Sequence, residues 1–576
     1  MNIYTLGLNI FHADSSCCLM RNGELICAFE EERLNRIKHW AGIPLKSIEQ
    51  CMNHQNLTIN NIDFITVNSN PYSNFTRKIL YTIKSKNLLR NLKSFLGRQS
   101  KKLSLKKEIE KYFGKKLRAK IFRFDHHLSH IGSSYYLSGF KEATAVSIDG
   151  FGDFCSIAVA SCKNNNIKII KRSYYPNSLG VFYEGITQFL GFLNYGDEYK
   201  VMGLSAYGKP VYEELLDKLI KFDEDHFIVL DLSYFQHTSK DFQYKFDGEP
   251  KSTNLIDKKK LLDLLKINEN NLNQFEIKSN IAASAQKIYE KIFFKIINKS
   301  LQLNLSQNLV LSGGCVMNCL ANGKLIEKSK FKNIFVPYCP GDNGGALGSA
   351  ALLNRDKLLP ESFKNPYLGI RKKNKDDKFI EIIKQKKLFF KKYDDFQKIN
   401  EKIVFMLTNE KIIANYRENM EFGSRALGNT SILCDPRLKN AKDIINSKVK
   451  VRESFRPFAP SILEEDVEEW FENKLESPYM SFVVKFKLKK KNLVPAVCHV
   501  DNTGRLQTVN KEINPSFYDL IKQFKDKTGI PMILNTSFNE NEPIVESEER
   551  AIETYLRTSI DYLAINNYLI SKNSEI

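Results

Sequence analysis

Residues 3–29, IYTLGLNIFHADSSCCLMRNGELICAF, set apolar strands around a polar link and a turn, and they decide the fold of the first half of the chain. The Asn22-Gly23 pair in that turn is a strong hairpin signal. Residues 143–170 repeat the plan with ATAVSID, the link GFGD, then CSIAVAS, a turn of three asparagines and IKII. The repeat predicts a diverged internal duplication.

Each copy places a carboxylate and small residues at the tip between two apolar strands. Backbone N–H groups can approach a phosphate there because no bulky side chain intervenes. We therefore expect a nucleotide cleft between two similar halves, with Gly150 and Gly152 among its contacts.

The length and composition are those of a multidomain globular protein. The 576 residues are 42% hydrophobic and 11% aromatic, a composition that excludes disorder. The chain is too long for one compact domain. No apolar run reaches the length of a membrane-spanning helix, and the first residues lack a basic segment and cleavage site. A cytoplasmic location is expected, with the 11 cysteines reduced in the core because they show no C-x-x-C pattern.

The formal net charge of +20 is concentrated in one segment. Residues 77–120 hold 16 Lys or Arg against Glu108 and Glu110, a net of +14. Leu88, Leu89, Leu92, Phe95 and Leu96 recur among these cations and favour an amphipathic helix. Three explanations stay open: a solvated insertion, a contact with anionic lipid or polysaccharide, and nucleic-acid binding.

Two later glycine-rich strings look like nucleotide contacts. LVLSGGCVMN (309–318) predicts a strand entering a glycine pair, and VPYCPGDNGGALGSAALL (336–353) predicts a turn that opens a small-residue helix. The free N–H groups of such a helix can hold an anion, while Asp342 remains available for a cation. A polar stretch at 356–375 is the predicted linker, so the predicted domains are 1–355 and 376–576.

Histidines and carboxylates suggest a metal site. His126 and His130 are four residues apart and share one face of a helix, which is ordinary spacing for imidazole ligands. A helix start whose histidines bond backbone groups would give the same pattern. Asp149 and Asp342 could complete a two-His, two-carboxylate site for a metal such as Fe, Mn or Zn.

The second half is rich in fixed positive charge beside apolar strands. Arginine forks bind phosphate in bidentate fashion, so these residues are candidates for an oxyanion or phosphate pocket. An extended chain would point Lys450, Arg452 and Arg456 to one side. The candidates are Arg425, Lys450, Arg452, Arg456, Arg505, Asn535, Ser537 and Asn539.

The chain resembles the carbamoyltransferases of the nodulation-factor, cephem and tobramycin type from residue 3 to about 565. The resemblance is carried by nine strings in the same order. They are EEERLNRIKH (30–39), DHHLSHIGSSYY (125–136), SIDGFGD (147–153), GDEYKVMGLSAYGKP (196–210), SGGCVMNCLANGKL (312–325), PGDNGGALGSAALL (340–353), EFGSRALGNTSILCDPR (421–437), KVRESFRPFAP (450–460) and ILNTSFNENEPIV (533–545).

The resemblance implies an α/β fold with two domains. The first would have the duplicated ATPase superfold shared with actin and sugar kinases, and the second would be an α+β domain of the YrdC type. Carbamoyl phosphate and ATP would form carbamoyl-adenylate in the second domain, and the first would pass the carbamoyl group to a hydroxyl, expected to belong to a sugar in a surface polysaccharide, glycolipid or natural product. A homodimer and peripheral membrane contact are left open, and nucleic acid is not an expected partner.

The resemblance also implies roles for individual residues. His126, His130, Asp149 and Asp342 would hold a divalent metal at the nucleotide phosphates, with Fe²⁺ expected and Mg²⁺ or Mn²⁺ as alternatives. His12, with Asp14, would orient or deprotonate the acceptor hydroxyl, since an imidazole can accept that proton near neutral pH. Lys450, Arg452, Arg456 and Arg505, with the other second-half candidates, would clamp carbamoyl phosphate and ATP. The nucleotide contacts of the first domain would be Gly150, Gly152, Lys200, Gly313, Gly314, Asn318 and Gly344.

The chain departs from the family strings at several positions. Glu418, Asn419, Ser424 and Thr430 replace Gly, Arg, Pro and Arg, so two arginines are missing near an expected phosphate. Cys498, Asn502, Gly504 and Leu506 are changed in a second string. These departures keep a non-catalytic regulatory relative as an alternative. An RNA-binding protein related to tRNA modification and a sugar kinase are the others, although a kinase has no use for a second phosphate pocket.

Overall fold

The computed structural model describes residues 2–84, 104–239, 243–245, 248–369, 371, 376–450, 452–453 and 455–574. The chain forms two compact units. The first contains Met1–Asn318 and Leu325–Lys364, and the second contains Cys319–Lys324 and Asn365–Ile576. The leucines and phenylalanine at 88–96, for which an amphipathic helix is predicted, lie outside the described residues.

The strands of the first unit follow the apolar strings of the sequence. They are β1 (Tyr4–Asn9), β2 (Ser16–Arg21), β3 (Glu24–Glu30), β4 (Phe64–Val67), β5 (Lys120–Arg123), β6 (Glu142–Gly152), β7 (Cys155–Lys163), β8 (Asn166–Tyr174), β9 (Ile220–Asp223), β10 (Phe227–Leu230), β11 (Gln243–Lys245), β12 (Lys251–Thr253), β13 (Asn308–Ser312) and β14 (Asn333–Phe335).

Two five-stranded sheets of this unit have the same topology. The first has the order β3-β2-β1-β4-β5, and the second has the order β8-β7-β6-β13-β14. In both, three antiparallel strands are followed by two parallel ones. The duplication predicted from the strand pattern is therefore present in the fold.

The predicted Asn-Gly turn is confirmed. Asn22 and Gly23 form the two-residue loop between β2 and β3, with φ values of 53° and 88°. Both values lie in the left-handed region, as a type I′ hairpin turn requires. Leu6, Leu8, Leu19 and Cys27 behind the turn are fully buried, so the hairpin is anchored on the core.

The helices of the first unit cover these sheets. They are α1 (Glu31–Asn35), α2 (Leu45–His54), α3 (Phe75–Lys84), α4 (Leu105–Phe113), α5 (His126–Ser138), α6 (Leu179–Phe189), α7 (Glu198–Leu204), α8 (Glu213–Leu216), α9 (Lys258–Leu265), α10 (Glu269–Leu272), α11 (Phe275–Gln302), α12 (Cys319–Lys328), which begins in residues of the second unit, and α13 (Gly344–Asn354).

Helix α13 packs unusually closely against α5 because both have small residues at the contact. A Cβ added at Gly348 would lie 1.8 Å from the carbonyl oxygen of Ser129, and one at Gly132 would lie 3.0 Å from the carbonyl oxygen of Gly348. The small-residue string that predicts α13 therefore allows the approach that positions α5.

The second unit is built on a mixed nine-stranded sheet with the order β15-β23-β22-β16-β17-β21-β18-β20-β19. Its strands are β15 (Phe389–Lys392), β16 (Ile413–Tyr416), β17 (Thr430–Cys434), β18 (Ala459–Leu463), β19 (Phe482–Lys485), β20 (Thr503–Val509), β21 (Met532–Ser537), β22 (Tyr562–Ile565) and β23 (Tyr568–Ser571). Its helices are α14 (Asp376–Gln385), α15 (Phe396–Thr408), α16 (Ala441–Ile445), α17 (Val467–Trp470), α18 (Pro515–Thr528) and α19 (Glu548–Arg557).

Ten of the eleven cysteines are buried thiols, and Cys498 alone is half-buried. Burial raises the pKa of Cys18 and of most of the other thiols, which keeps them protonated and unreactive. Among the described helices, none combines the length and the apolar character needed to cross a membrane.

Candidate functional site

Helix α5 brings the two predicted histidine ligands together. Asp125 caps the helix by accepting a hydrogen bond from the backbone N–H of Leu128 at 3.0 Å. His126 and His130 then lie one turn apart, with their Nε2 atoms separated by 3.0 Å. Both imidazoles are completely buried, so the helix presents two nitrogens at one point of the interior.

Two carboxylates reach the same point from other elements. Asp149 Oδ2, from β6, lies 3.0 Å from the Nε2 atom of His126 and 3.5 Å from that of His130. Asp342 Oδ1, from the turn before α13, lies 3.5 and 3.3 Å from the same two nitrogens. One ligand atom from each of the four residues lies within 4.8 Å of all the others. The two histidines proposed from their spacing and the two aspartates proposed to complete their site thus lie in one cluster.

The electrostatics of the cluster suit a cation. Burial opposes the charged form of His130, but the carboxylates of Asp149 and Asp342 outweigh it and raise its pKa to about 9. Burial and the charge of Asp149 raise the pKa of Asp342. Burial also acts to raise the pKa of Asp149, but the facing imidazoles outweigh it and hold that pKa well below its usual range. Two buried carboxylates so close together need positive charge between them.

The donor set also fits a metal in its geometry. Asp342 Oδ1 is buried and accepts no hydrogen bond from the described residues. Separations of 3.0 to 3.5 Å between donors are those expected for ligands placed about 2.0–2.2 Å from one small ion. Two imidazoles with two carboxylates are a common donor set for first-row transition metals.

Glycines shape the space beside the cluster. A Cβ at Gly152 would lie 1.8 Å from Cδ2 of His126, so only glycine leaves room for that ring. Gly313 has φ of 94°, and the backbone N–H of Gly314 donates to Asp149 Oδ1 at 2.9 Å. The strand-to-glycine turn predicted at 309–318 therefore holds one of the cluster carboxylates. A Cβ at Gly150, in contrast, would meet no atom within 4 Å.

The remaining nucleotide candidates of the first unit lie in different surroundings. Asn318 Nδ2 donates to Gln286 Oε1 at 3.0 Å. Gly344 opens α13, as predicted, and packs against the carbonyl oxygen of Cys339. Lys200 forms an ion pair with Asp197 at 3.1 Å. These contacts are all with other residues of the first unit, and the roles of these residues at a nucleotide stay predictions.

The first link region places His12 beside the cluster. The imidazole of His12 is 7% exposed, and its centroid lies 4.4 Å from that of His126. Asn9 holds the backbone by donating from Nδ2 to the carbonyl oxygens of Ala13 and Asp14. The side chain of Ser15 donates to the carbonyl oxygen of Gly42 at 2.9 Å. The loop that carries His12 is thus fixed from both sides.

His39 is a candidate that the sequence analysis missed. Its Nδ1 lies 2.7 Å from Asp14 Oδ1, and its backbone N–H donates to Glu32 Oε2 at 2.7 Å. Burial opposes protonation, but the negative charge of Asp14 outweighs it and raises the pKa of His39 to about 9. The side chains of His39 and Asp14 are 32% and 24% exposed, so the pair lies at an accessible edge. The string 30–39 contained this histidine, but no spacing rule links it to a carboxylate 25 residues away.

Two half-buried carboxylates were also missed by the sequence analysis. Burial and the charge of Glu184 raise the pKa of Glu198 to about 8. Burial likewise raises the pKa of Glu184, which accepts a hydrogen bond from Ser252. Glu198 lies inside the string 196–210, but no spacing rule links it to Glu184, 14 residues earlier.

In the second unit, three of the predicted phosphate-binding residues meet. Lys450 Nζ donates to the carbonyl oxygen of Ser537 at 2.6 Å and to its Oγ at 3.2 Å. It also donates to the carbonyl oxygen and the Oδ1 atom of Asn539, at 2.8 and 2.7 Å. Asn535, in the same strand, bonds instead to Ser461 and Gln507 inside the sheet.

The candidate arginines of the second unit contact different residues. Arg452 Nε donates to Asn446 Oδ1 at 3.2 Å, and its guanidinium lies 4.4 Å from the ring centroid of Phe458. Arg456 faces Glu453 at 3.5 Å. Arg505 lies with its Nε 3.0 Å from the sulfur of Cys319, and Arg425 is half-buried.

The expectation that an extended chain points Lys450, Arg452 and Arg456 to one side is wrong. Residues Asn446–Lys450 form a π-helical turn, and β18 begins only at Ala459. Alternation along a strand therefore does not apply to this segment. Lys450 is directed inward by its four hydrogen bonds to Ser537 and Asn539 instead.

The guanidinium of Arg371 lies beside Thr430, one of the positions at which this chain departs from the family strings. Arg371 Nη2 donates to Thr430 Oγ1, and its guanidinium carbon lies 3.5 Å from the ring centroid of Tyr416. Glu421 Oε1 accepts from the backbone N–H groups of Leu427, Asn429 and Thr430. Arg371 belongs to the predicted linker 356–375, whose polar composition gave no sign of these contacts.

Comparison with known families matches both halves of the chain. Residues 4–351 match the family model described as carbamoyltransferase N-terminus, and residues 404–572 match the one described as carbamoyltransferase C-terminus. The nodulation protein NolNO of Sinorhizobium fredii is 33% identical over 98% of this chain and 80% of its own length. An uncharacterized protein of Synechocystis is 33% identical over 99% of this chain and 97% of its own.

Two further similarities are more limited. The 3'-hydroxymethylcephem-O-carbamoyltransferase of Streptomyces clavuligerus is 30% identical over 40% of this chain and 42% of its own. Component A of (R)-2-hydroxyglutaryl-CoA dehydratase from Acidaminococcus fermentans aligns in structure with a TM-score of 0.35 and 15% identity, covering 62% of this chain and 98% of its own. A TM-score this low does not assign a fold.

Proposed function

Because the chain belongs to the carbamoyltransferase family, we propose that it is an ATP-dependent O-carbamoyltransferase. Carbamoyl phosphate, ATP and water give carbamoyl-adenylate, phosphate and pyrophosphate. An acceptor hydroxyl then attacks the carbamoyl carbon, and AMP leaves. We propose a sugar hydroxyl of a polysaccharide, glycolipid or natural-product precursor as acceptor and the cytoplasm as the location.

One observation carries the proposal for the first unit. The duplicated sheets, which we assign to the ATPase superfold, frame a cluster of four side chains that can ligate a metal, two from α5, one from β6 and one from the turn before α13. His126, His130, Asp149 and Asp342 would hold a divalent metal, for which we propose Fe²⁺. When bound, the metal supplies positive charge that shields the phosphate of the adenylate during transfer.

The polar link between β1 and β2, which contains His12 and Asp14, would bind the acceptor and deprotonate its hydroxyl. His12 takes the proton of the attacking hydroxyl, because it is the imidazole beside the cluster whose loop is fixed by Asn9 and Ser15. The ion pair of Asp14 with His39 keeps that loop in place, and its accessible edge leaves room for a polar acceptor. His39 is thus a positioning residue, since its raised pKa makes it a poor base at neutral pH.

The second unit, for which we propose a YrdC-like domain, would form the adenylate. Lys450 with Ser537 and Asn539 forms the prepared polar corner of this unit, and Arg425, Arg452, Arg456 and Arg505 supply further cations for carbamoyl phosphate and ATP. We propose that Arg371 provides a guanidinium beside Thr430, where the family string has arginine. On this basis the departures at 419 and 430 leave the first half-reaction intact.

The first half-reaction can be measured without knowing the acceptor. Purified protein is given carbamoyl phosphate and ATP, and phosphate and pyrophosphate release are followed together. We expect release that requires both substrates and that falls at least about a hundredfold in Arg456→Ala, the range seen when one donor that stabilises developing negative charge is lost. Arg550→Ala is the matched control, because Arg550 pairs with Glu553 on the surface of α19 in the same unit.

Two results would contradict the proposal. One is ATP binding without any release of pyrophosphate by the wild type, which would favour a regulatory role for this protein over an enzymatic one. The other is equal release by Arg456→Ala and Arg550→Ala, which would remove Arg456 from the substrate site.

A further inference from the structure

Helix α3 has an inner face that is packed on the first unit. The ring of Tyr81 makes edge contacts with Phe154 and Tyr175, at centroid distances of 5.6 and 5.0 Å. The guanidinium of Arg77 lies 5.0 Å from the ring centroid of Tyr174. These contacts fix the orientation of the helix and so decide which side chains point away from the unit.

The opposite face of α3 carries exposed apolar side chains. Phe75, Ile79, Leu80 and Ile83 are 44%, 42%, 51% and 67% exposed, and they form what we call the apolar face of α3. At about 100° per residue they occupy one continuous arc opposite Tyr81. Solvated surface helices place polar residues on their outer side, so this face requires another explanation.

The apolar face of α3 lies at the start of the most basic part of the chain. Residues 77–120 carry a net charge of +14. Within the described part, the side chains of Lys106, Lys107 and Lys111 on α4 are exposed, as are the cations that follow at 115, 116, 118 and 120. An exposed apolar helix face accompanied by many cations is the composition of a helix that lies on an anionic membrane surface.

We infer that the apolar face of α3 docks this protein on the surface of an anionic lipid bilayer. The apolar side chains enter the boundary between headgroups and acyl chains, and the net positive charge of residues 77–120 attracts the lipid phosphates. RNA fits less well, because RNA recognition uses cations and aromatic stacking rather than exposed isoleucines and leucines. A second copy of this chain fits less well too, because two segments with the same positive charge repel each other. The inference does not rest on the proposed carbamoyl transfer.

Co-sedimentation with vesicles tests the inference on the full chain. One set of vesicles contains phosphatidylcholine alone, and the other contains phosphatidylcholine and phosphatidylglycerol in equal amounts. We expect binding to the anionic vesicles that weakens as salt is added. The variant Ile79→Gln/Ile83→Gln should bind at least about tenfold more weakly, since it removes two isoleucines that would be buried in the lipid boundary.

The matched control is Val229→Gln/Leu488→Gln, which changes two side chains of nearly the same exposure, 43% and 69%, in other parts of the chain. It should bind vesicles like the wild type. Leu80→Gln alone is a second test, and circular dichroism verifies that each variant is folded.

The inference is overturned if the wild type ignores anionic vesicles, or if Ile79→Gln/Ile83→Gln binds them as well as the control does. Salt-dependent binding to RNA in place of vesicles, or self-association abolished by the same variant, would also overturn it. None of these readouts involves carbamoyl phosphate or ATP, so failure here is distinguishable from failure of the proposed enzymatic activity.

Discussion

At the scale of single residues, the cluster of two histidines and two aspartates proposed to hold a metal makes a direct prediction. His130→Gln should reduce the bound metal from about one ion per chain to a small fraction of that, because it removes one of four ligands. The measurement is metal content by mass spectrometry after anaerobic purification with added Fe²⁺. His127→Gln is the control, since His127 is equally buried on the same helix but faces Ser147 Oγ at 2.9 Å. Equal loss of metal in both variants would indicate a general disturbance of α5 rather than loss of a ligand.

The ion pair of Asp14 and His39 makes a prediction about pH. In Asp14→Asn the pKa of His39 should fall from about 9 toward the ordinary value near 6.5, which NMR titration of the ring measures. Because the pKa is raised in the folded state, the stability gained from the pair is fully present below about pH 6.5 and is lost as the pH rises through about 9.

Urea unfolding at neutral and alkaline pH measures that stability. The partly exposed pair should contribute about 1 kcal/mol near pH 7, and the difference between wild type and Asp14→Asn should shrink toward pH 10. Asp223→Asn removes the partner of the exposed His226 and should change nothing measurable. A difference that grew with pH would contradict the assignment of a protonated His39.

How far the sequence predicts these residues depends on whether their spacing is local. His126 and His130 are one helical turn apart, so the sequence alone places them on one face. Asp14 and His39 meet only because α1 and the strands around it bring them together, and no local pattern records that contact. The same is true of Arg371, whose contact with Thr430 spans 59 residues.

At the scale of elements, the contact between α5 and α13 leaves the least room for a larger side chain. Gly348→Ala should destabilise the protein by about 1–3 kcal/mol, because the new methyl group would overlap the carbonyl oxygen of Ser129. The variant should also bind less metal, since Ser129 precedes His130. Urea unfolding and metal content measure the two effects. Gly139→Asn, at the open left-handed end of α5, is the control and should cost under about 1 kcal/mol. A fully stable Gly348→Ala would show that the helices can separate without penalty.

Element prediction from sequence succeeded where one local signal dominated. The Asn22-Gly23 turn, the strand that ends at Gly313 and the helix that begins at Gly344 each follow from residues within a few positions. It failed for Lys450, Arg452 and Arg456, where the expectation assumed an extended chain but Lys450 lies in a π-helical turn. Lys450 donates hydrogen bonds to Ser537 and Asn539, and no local sequence pattern records these tertiary contacts.

At the scale of the whole molecule, the two units should have separable chemical defects if the proposed function holds. His130→Gln, in the first unit, should still release pyrophosphate but accumulate carbamoyl-adenylate, because the transfer step is impaired. Arg456→Ala, in the second, should form little adenylate at all. Mass spectrometry of quenched reactions measures the intermediate. Loss of pyrophosphate release in His130→Gln, with its fold and Arg550→Ala both intact, would contradict this division of labour.

The distribution of thiols gives the molecule a built-in reporter. With ten cysteines enclosed in the core and only Cys498 within reach of solvent, a maleimide fluorophore added to the native protein would attach at a single place in the second unit. Burial raises the pKa of Cys498, so mildly alkaline conditions would favour the coupling. Ligand-induced changes in that unit could then be followed by fluorescence in the unaltered chain, without first removing the other ten cysteines by mutagenesis.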